Sequence, residues 1–260
     1  MNPETFFKHC WADYVDVAPQ APAIWNYLNQ LGNEITIDHI AMRTFAWKGL
    51  DLEAIASELL HLGYHPKEKY HFEAKNLTAQ HFDAGEDLPL IFVSEFSHES
   101  LPTHLKERVE KSLNKIHEPL SLSRLAYFRP WPVFEKEEID EIWKHSEYAG
   151  WLLCHGLRVN HYTVNVNQLK LVENLESLNE MLKKKGFNLN TSGGEIKGSP
   201  LVGLTQSSTM APLVEVRLGD GHYKVPGCYV EFAERFELNA KLFRGFLGDS
   251  ADKIFESTHR

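Results

Sequence analysis

Apolar positions along the chain alternate between a spacing near 3.6 and a spacing of 2, and each change of period marks an element boundary. Trp25, Leu28 and Leu31 recur at helical spacing and Gly32 supplies a stop, so residues 3–32 are predicted helical. A strand over roughly 35–46 follows. Helical spacing returns from Leu50 to Leu62, with Leu52, Ile55, Ala56, Leu59 and Leu60 inward and Gly63 behind them. Two strand candidates come next, a short Tyr70-His71-Phe72-Glu73 and a stronger Leu88 to Glu95. The stretch from Lys67 to Asp87 is otherwise polar and reads as solvent-facing. Helical stretches near 98–117 and 134–148 flank Tyr127-Phe128-Arg129-Pro130-Trp131-Pro132, whose prolines favour a loop or an edge.

The order then starts again. A strand at 157–166 leads into a helix at about 168–185, with Leu169, Val172, Leu175, Leu178 and Leu182 on one face and Gly186 at its end. Glycine-rich loops follow, Ser192-Gly193-Gly194 and Gly198-Ser199-Pro200, and then strands at Leu213 to Leu218 and Cys228 to Phe236. Each half reads as strand, helix, strands. The expectation is an α+β chain in which residues 1–260 form a single domain of two similar halves, about 35–130 and 150–240, behind an N-terminal helical segment.

Composition narrows the function classes. Hydrophobic residues make up 43% and charged residues 24%, which is ordinary for a globular protein. A net charge of -9 argues against a general nucleic-acid binder, which needs a basic surface. It leaves room for a small anionic substrate, because local arginines can reverse the field in a pocket. The first residues lack a basic segment followed by an apolar one, and no run of about 18 apolar residues exists, so neither a signal peptide nor a membrane span is expected. Cys10, Cys154 and Cys228 are odd in number and far apart, and read as reduced cytoplasmic thiols.

Candidate chemistry lies in three strands. Alternation puts His39, Ala41 and Arg43 on one face of the first, His161, Thr163 and Asn165 on one face of the second, and Tyr229, Glu231, Ala233 and Arg235 on one face of the third. Two imidazoles and a carboxylate with open positions are the ligand set of non-haem Fe(II) oxygenases, and the arginines would hold an anion beside the metal. The spacing ligand, small residue, arginine occurs at both His39/Arg43 and Glu231/Arg235. A core strand gains nothing from an inward arginine without a partner. The bland alternatives are core histidines bonded to neighbouring strands and an internal ion pair from Arg235 to Glu231 or Glu234. Two rival iron motifs, His71-Phe72-Glu73 and His81-Phe82-Asp83, sit in the polar stretch, where solvent-facing histidines explain them as well. Gln206-Ser207-Ser208-Thr209-Met210-Ala211, just before a strand, offers an amide and hydroxyls that suit a carboxylate or bound O2, or makes an ordinary turn. Nucleotide-binding, phosphate-loop, zinc-protease and nucleophile-elbow motifs are missing.

At these positions the chain resembles a known family. Asp38-His39-Ile40-Ala41-Met42-Arg43-Thr44-Phe45, Val159-Asn160-His161-Tyr162-Thr163 and the run Tyr229 to Arg235 resemble the motifs of the 2-oxoadipate dioxygenase/decarboxylase family, and Phe92-Val93-Ser94-Glu95 and Gln206-Ser207-Ser208-Thr209 follow its pattern. The resemblance runs from about residue 35 to 236. It implies a vicinal-oxygen-chelate-like fold, in which paired βαβββ modules with curved sheets enclose a metal. It also implies ferrous iron held by His39, His161 and Glu231, with Arg43 on a substrate carboxylate. His39, Gln206 and Ser208 are further candidate substrate contacts, and Asn165, Tyr229 and Arg235 are candidates either to fix the histidine tautomers or to touch substrate. The implied reaction takes a 2-oxo acid and O2, turns 2-oxoadipate into 2-hydroxyglutarate and CO2, and belongs to lysine degradation. Characterised members are longer than this chain, and substrate contacts from their added segments cannot be placed on it. Competing classes are another metalloenzyme on the same fold, an isomerase or extradiol-type dioxygenase, and a non-catalytic small-molecule binding protein.

Overall fold

The structure, a computed structural model, describes residues 1–125, 129–248 and 253–258. In chain order its elements are α1 (Pro3–Val17), α2 (Gln20–Gln30), β1 (Ile37–Phe45), α3 (Leu52–Leu60), β2 (His65–Phe72), β3 (Leu77–Asp83), β4 (Leu90–Phe96), α4 (Thr103–Leu113), α5 (Lys136–His145), α6 (Glu147–His155), β5 (Val159–Asn165), α7 (Leu175–Lys184), β6 (Lys197–Ser199), β7 (Leu204–Ser208), β8 (Leu213–Leu218), β9 (Gly221–Pro226), β10 (Tyr229–Arg235), β11 (Glu237–Leu238) and β12 (Lys241–Leu242). Tyr127 and Phe128 of the proline-rich stretch lie outside the described residues.

One sheet holds eight strands in the order β2-β3-β4-β1-β5-β10-β7-β6. β1 runs parallel to β4 and β5 parallel to β10, while β1 and β5 are antiparallel. The sheet is therefore a pair of βαβββ modules, β1-α3-β2-β3-β4 and β5-α7-β6-β7-β10, joined along β1 and β5. The β8–β9 hairpin is inserted before the last strand of the second module. Local signals set the helices. Asn2 caps α1 by accepting from the Thr5 amide at 2.8 Å, Asp51 caps α3 through Ala54, and Asn174 caps α7 through Ser177.

The helices α1, α2, α3 and α7 pack on one face of the sheet. Tyr162 of β5 lies against Trp11 and Tyr14 of α1, so its neighbours His161 and Thr163 face the other side. That side is closed by α6, which is buried along its whole length, and by the segment Phe255–Thr258.

Several boundaries differ from the sequence pattern. The helix expected over 3–32 breaks at Ala18, which leaves helical geometry (φ -130°, ψ 61°) because Pro19 follows and crowds an α-conformer before it. β3 lies inside the stretch expected to face solvent. Its polar residues are sheltered by β2 and β4 on either side, and His81 is buried. Gln206, Ser207 and Ser208 are not a turn before a strand; they form β7 itself, paired antiparallel with β10. α7 begins at Leu175, where Asn174 caps it, so Leu169 and Val172 are buried ahead of the helix.

Candidate metal centre

Register brings the three strands together. Ala41 pairs with His161, His161 with Tyr229, and Glu231 with Thr163. The ligand atoms of His39, His161 and Glu231 all lie within 4.8 Å of one another, and all three residues are buried. His39 Nε2 is 3.4 Å from Glu231 Oε1, and His161 Nε2 is 3.2 Å from Glu231 Oε2. Adjacent positions around a cation bound at about 2.1 Å are separated by roughly 3 Å, so this donor set has the size and chemistry of a metal site.

Each histidine is aimed by the residue before it. His39 Nδ1 donates to Asp38 Oδ1 at 2.7 Å, and His161 Nδ1 bonds Asn160 Oδ1 at 3.1 Å. Adjacent strand residues normally point to opposite faces, and two register shifts lift that restriction. Ile37 and His39 pair with the consecutive residues Val164 and Thr163, so Asp38 is an extra residue in β1. Ala41 and Met42 pair with His161 and Val159, so Asn160 is an extra residue in β5. Each bulge turns a second-sphere group toward the imidazole that follows it. With Nδ1 engaged, the Nε2 of each ring faces Glu231.

Of the two roles expected for Arg235, the geometry favours the one behind the histidines. Its Nε and Nη2 form a bidentate pair with Asp38 at 2.6 and 2.8 Å, and Nη1 donates to the carbonyls of Phe243 and Gly245. The guanidinium is spent within the fold and fixes Asp38, which in turn fixes His39. Neither Glu231 nor Glu234 is its partner.

Gln206 donates from Nε2 to Glu231 Oε1 at 2.5 Å, and its own Oε1 is buried with no hydrogen-bond partner. Ser208 Oγ bonds Ser257 Oγ at 2.8 Å. Arg43 lies between the rings of Tyr148 and Trp151, 4.8 Å from each centroid. Its Nη2 donates to Thr258 Oγ1 at 3.2 Å, and its buried Nε has no hydrogen-bond partner. A cavity of about 200 Å³ opens beside it, lined also by Lys75, Glu147, Tyr148 and Phe255. Phe246 packs its ring 4.8 Å from that of His39 and shields the cluster.

Charge is shared unevenly. Burial works against a protonated His39, but the Glu231 carboxylate and the bond to Asp38 outweigh it and raise its pKa. At His161 burial wins and pushes the pKa down to about 3, against the pull of Glu231. Burial also opposes ionised Glu231, yet the two imidazoles hold its pKa below the usual value. Asp38 stays well below the carboxylate range because Arg235 outweighs its burial. A divalent cation would take the place of the proton on His39, since ligation needs both rings neutral.

The rival motifs do not converge. His71 and Glu73 are exposed. His81 bonds the Tyr70 hydroxyl at 2.9 Å, and Asp83 pairs with Arg244. A second group, His98, Glu99 and Glu110, also comes together among the described residues, but the Lys106 ammonium pairs with both of its carboxylates. No helix among the described residues is long and apolar enough to cross a membrane.

The fold is of the vicinal-oxygen-chelate type, and on it two histidines and one glutamate converge. A Ralstonia eutropha structure provisionally placed in the glyoxalase superfamily shares the fold, at TM-score 0.77 and 21% identity over 93% of this chain and 84% of that one. The family model for 2-oxoadipate dioxygenase/decarboxylase matches residues 123–243. The chloroplastic 2-oxoadipate dioxygenase/decarboxylase of Arabidopsis thaliana is 30% identical over 98% of this chain and 78% of its own length. The chain belongs to the 2-oxoadipate dioxygenase/decarboxylase family. Hydroxyglutarate synthase from Oryza sativa, solved in complex with 2-oxoadipate, superposes at TM-score 0.90 with 29% identity, covering 98% of this chain and 91% of that one. A Shewanella frigidimarina structure with a provisional hydrolase description is 35% identical at TM-score 0.86, covering 94% of this chain and 97% of that one.

Proposed function

We propose that this protein is an Fe(II)-dependent dioxygenase/decarboxylase of 2-oxo acids that converts 2-oxoadipate and O2 into 2-hydroxyglutarate and CO2. One observation carries the reading: buried His39, His161 and Glu231 converge beside Arg43, which has no carboxylate partner among the described residues, in a chain of this family. The overall reaction balances, with both oxygen atoms of O2 retained in the two products.

His39, His161 and Glu231 would hold the iron, and bound ferrous iron supplies the redox chemistry that couples O2 to oxidation of the 2-oxo acid. The protein's residues do the rest. Asp38 and Asn160 hold the imidazole tautomers, and Gln206 holds the Glu231 carboxylate. Arg43 neutralises a substrate carboxylate, its Nε being free to donate. Phe246 and Tyr229 wall the cluster and keep water out. Gln206 Oε1, which has no partner, and the Ser208 hydroxyl, bonded to Ser257, supply further polar contacts. The three buried cysteines, none of them in a disulfide among the described residues, suit a reducing compartment, the cytoplasm.

The test is anaerobic loading with Fe(II), followed by oxygen uptake and CO2 release with 2-oxoadipate and its shorter and longer homologues. The expected result is equal molar O2 uptake and CO2 release, fastest with 2-oxoadipate. Turnover without O2 uptake would instead indicate an isomerase, and O2 uptake without CO2 an extradiol-type enzyme. Failure to bind metal would indicate a binding protein.

A further inference from the structure

Tyr229 begins β10 two residues before Glu231, on the same face. Its ring stacks on His161, with centroids 4.6 Å apart and planes 26° apart. Its backbone is tied on the opposite side of the sheet, where the carbonyl accepts from Tyr14 Oη at 2.5 Å. The side chain is fully buried, yet its hydroxyl has no hydrogen-bond partner. Register sets Tyr229 level with His161 and Ala41, and Arg43 follows Ala41 by two residues on the same face, so both side chains rise from the face that carries the cluster. Arg43 Nε on that face is likewise a buried donor without a partner, as is Asn160 Nδ2 beside His161. An orphaned buried hydroxyl costs about as much as a lost hydrogen bond, so phenylalanine would suit the ligand-free fold at least as well. A tyrosine in this position is explained by something that arrives with an oxygen.

Resting on the function proposed above, we infer that the Tyr229 hydroxyl and Arg43 Nε together clamp one carboxylate of the dicarboxylic substrate, the one remote from the keto group. A phenol at neutral pH donates one hydrogen bond, and the guanidinium supplies the charge and a second donor. Tyr229 thereby sets the preference for a dicarboxylic over a monocarboxylic 2-oxo acid, while His161, beneath its ring, keeps its own role.

The substitution Tyr229→Phe keeps the stacked ring and removes only the hydroxyl. Anaerobic calorimetry on the Fe(II)-loaded protein would measure binding of 2-oxoadipate and of 2-oxohexanoate, which has the same chain length and no second carboxylate. The variant should bind 2-oxoadipate roughly 10- to 100-fold more weakly, the loss expected for a hydrogen bond to a charged group. Binding of 2-oxohexanoate should be unchanged, and the ligand-free melting temperature equal to or above that of the wild type. Combined with Arg43→Lys, the loss should be less than additive, because the two donors share one acceptor. Wild-type-like binding of 2-oxoadipate by Tyr229→Phe, equal weakening toward both acids, or a fall in ligand-free melting temperature of several degrees would overturn the inference. A wild-type protein that binds neither acid would instead sink the functional reading beneath it.

Discussion

Asp38 is the side chain on which the geometry of His39 depends, and it is buried between a cation and a ring. It accepts two hydrogen bonds from Arg235 and one from His39 Nδ1. Removing one member of such a buried pair leaves the other uncompensated, at a cost of about 3–5 kcal/mol. Asp38→Ala is therefore expected to lower the unfolding free energy by that order. Asp38→Asn, which keeps shape and one acceptor, should fold and lose roughly 10- to 100-fold in metal affinity. Asn160→Ala removes a neutral partner and should cost less on both counts. Denaturant unfolding and metal titration check the order; equal effects at the two positions would count against it. The sequence suggested His39, His161, Glu231 and Arg43 because each follows plain strand alternation. It concealed Asp38 and Asn160 because alternation sends a histidine and its predecessor to opposite faces, and a bulge leaves no mark in residue pattern. The sequence left two roles open for Arg235 because its partner, Asp38, lies on a strand 197 residues away in sequence.

At the scale of elements, β10 is held in place by the N-terminal helices. The Cys228 amide donates to Val17 O at 2.8 Å, Gln20 Nε2 donates to Cys228 O at 2.9 Å, and Tyr14 Oη to Tyr229 O. Gly227 lets the strand come this close: a Cβ there would lie 2.2 Å from Val17 O. Gly227→Ala should destabilise by about 1–3 kcal/mol, the usual cost of overpacking. Because the shift is transmitted to Tyr229 and Glu231, metal affinity should fall with it. Parallel measurement of melting temperature and metal binding tests this, and a variant that loses stability but binds metal as before would break the link. β1, β5 and β10 were legible in the sequence because their helix-facing residues are apolar. β3 and β7 were not. Their buried residues include His81, Ser207 and Ser208, which bond Tyr70, Asn179 and Ser257, and Gln206, whose Nε2 donates to Glu231.

The whole molecule pays for burying titratable rings. His155 is fully enclosed, and burial, with Arg158, Arg43 and Arg129 nearby, pushes its pKa down to about 3. The unfolded value is about 6.5, so below that pH the unfolded chain binds a proton the folded chain refuses, and stability falls as pH drops. From pH 7 to pH 5 this one group should remove about 2 kcal/mol. His155→Gln, which keeps a donor for the Pro226 carbonyl, should flatten the decline by a similar amount. Identical pH profiles for variant and wild type would remove His155 as a cause.

Paired modules join along β1 and β5, and the metal-type cluster lies across that junction, drawing His39 from one module and His161 and Glu231 from the other. The most direct check is elemental analysis of protein loaded with Fe(II) and desalted without air, for the wild type and for His39→Ala, His161→Ala and Glu231→Ala. The wild type should retain a single ferrous ion per chain and each variant almost none, although all three remain folded. Stoichiometric iron in any one variant, together with undiminished turnover of 2-oxoadipate, would contradict the assignment of the centre.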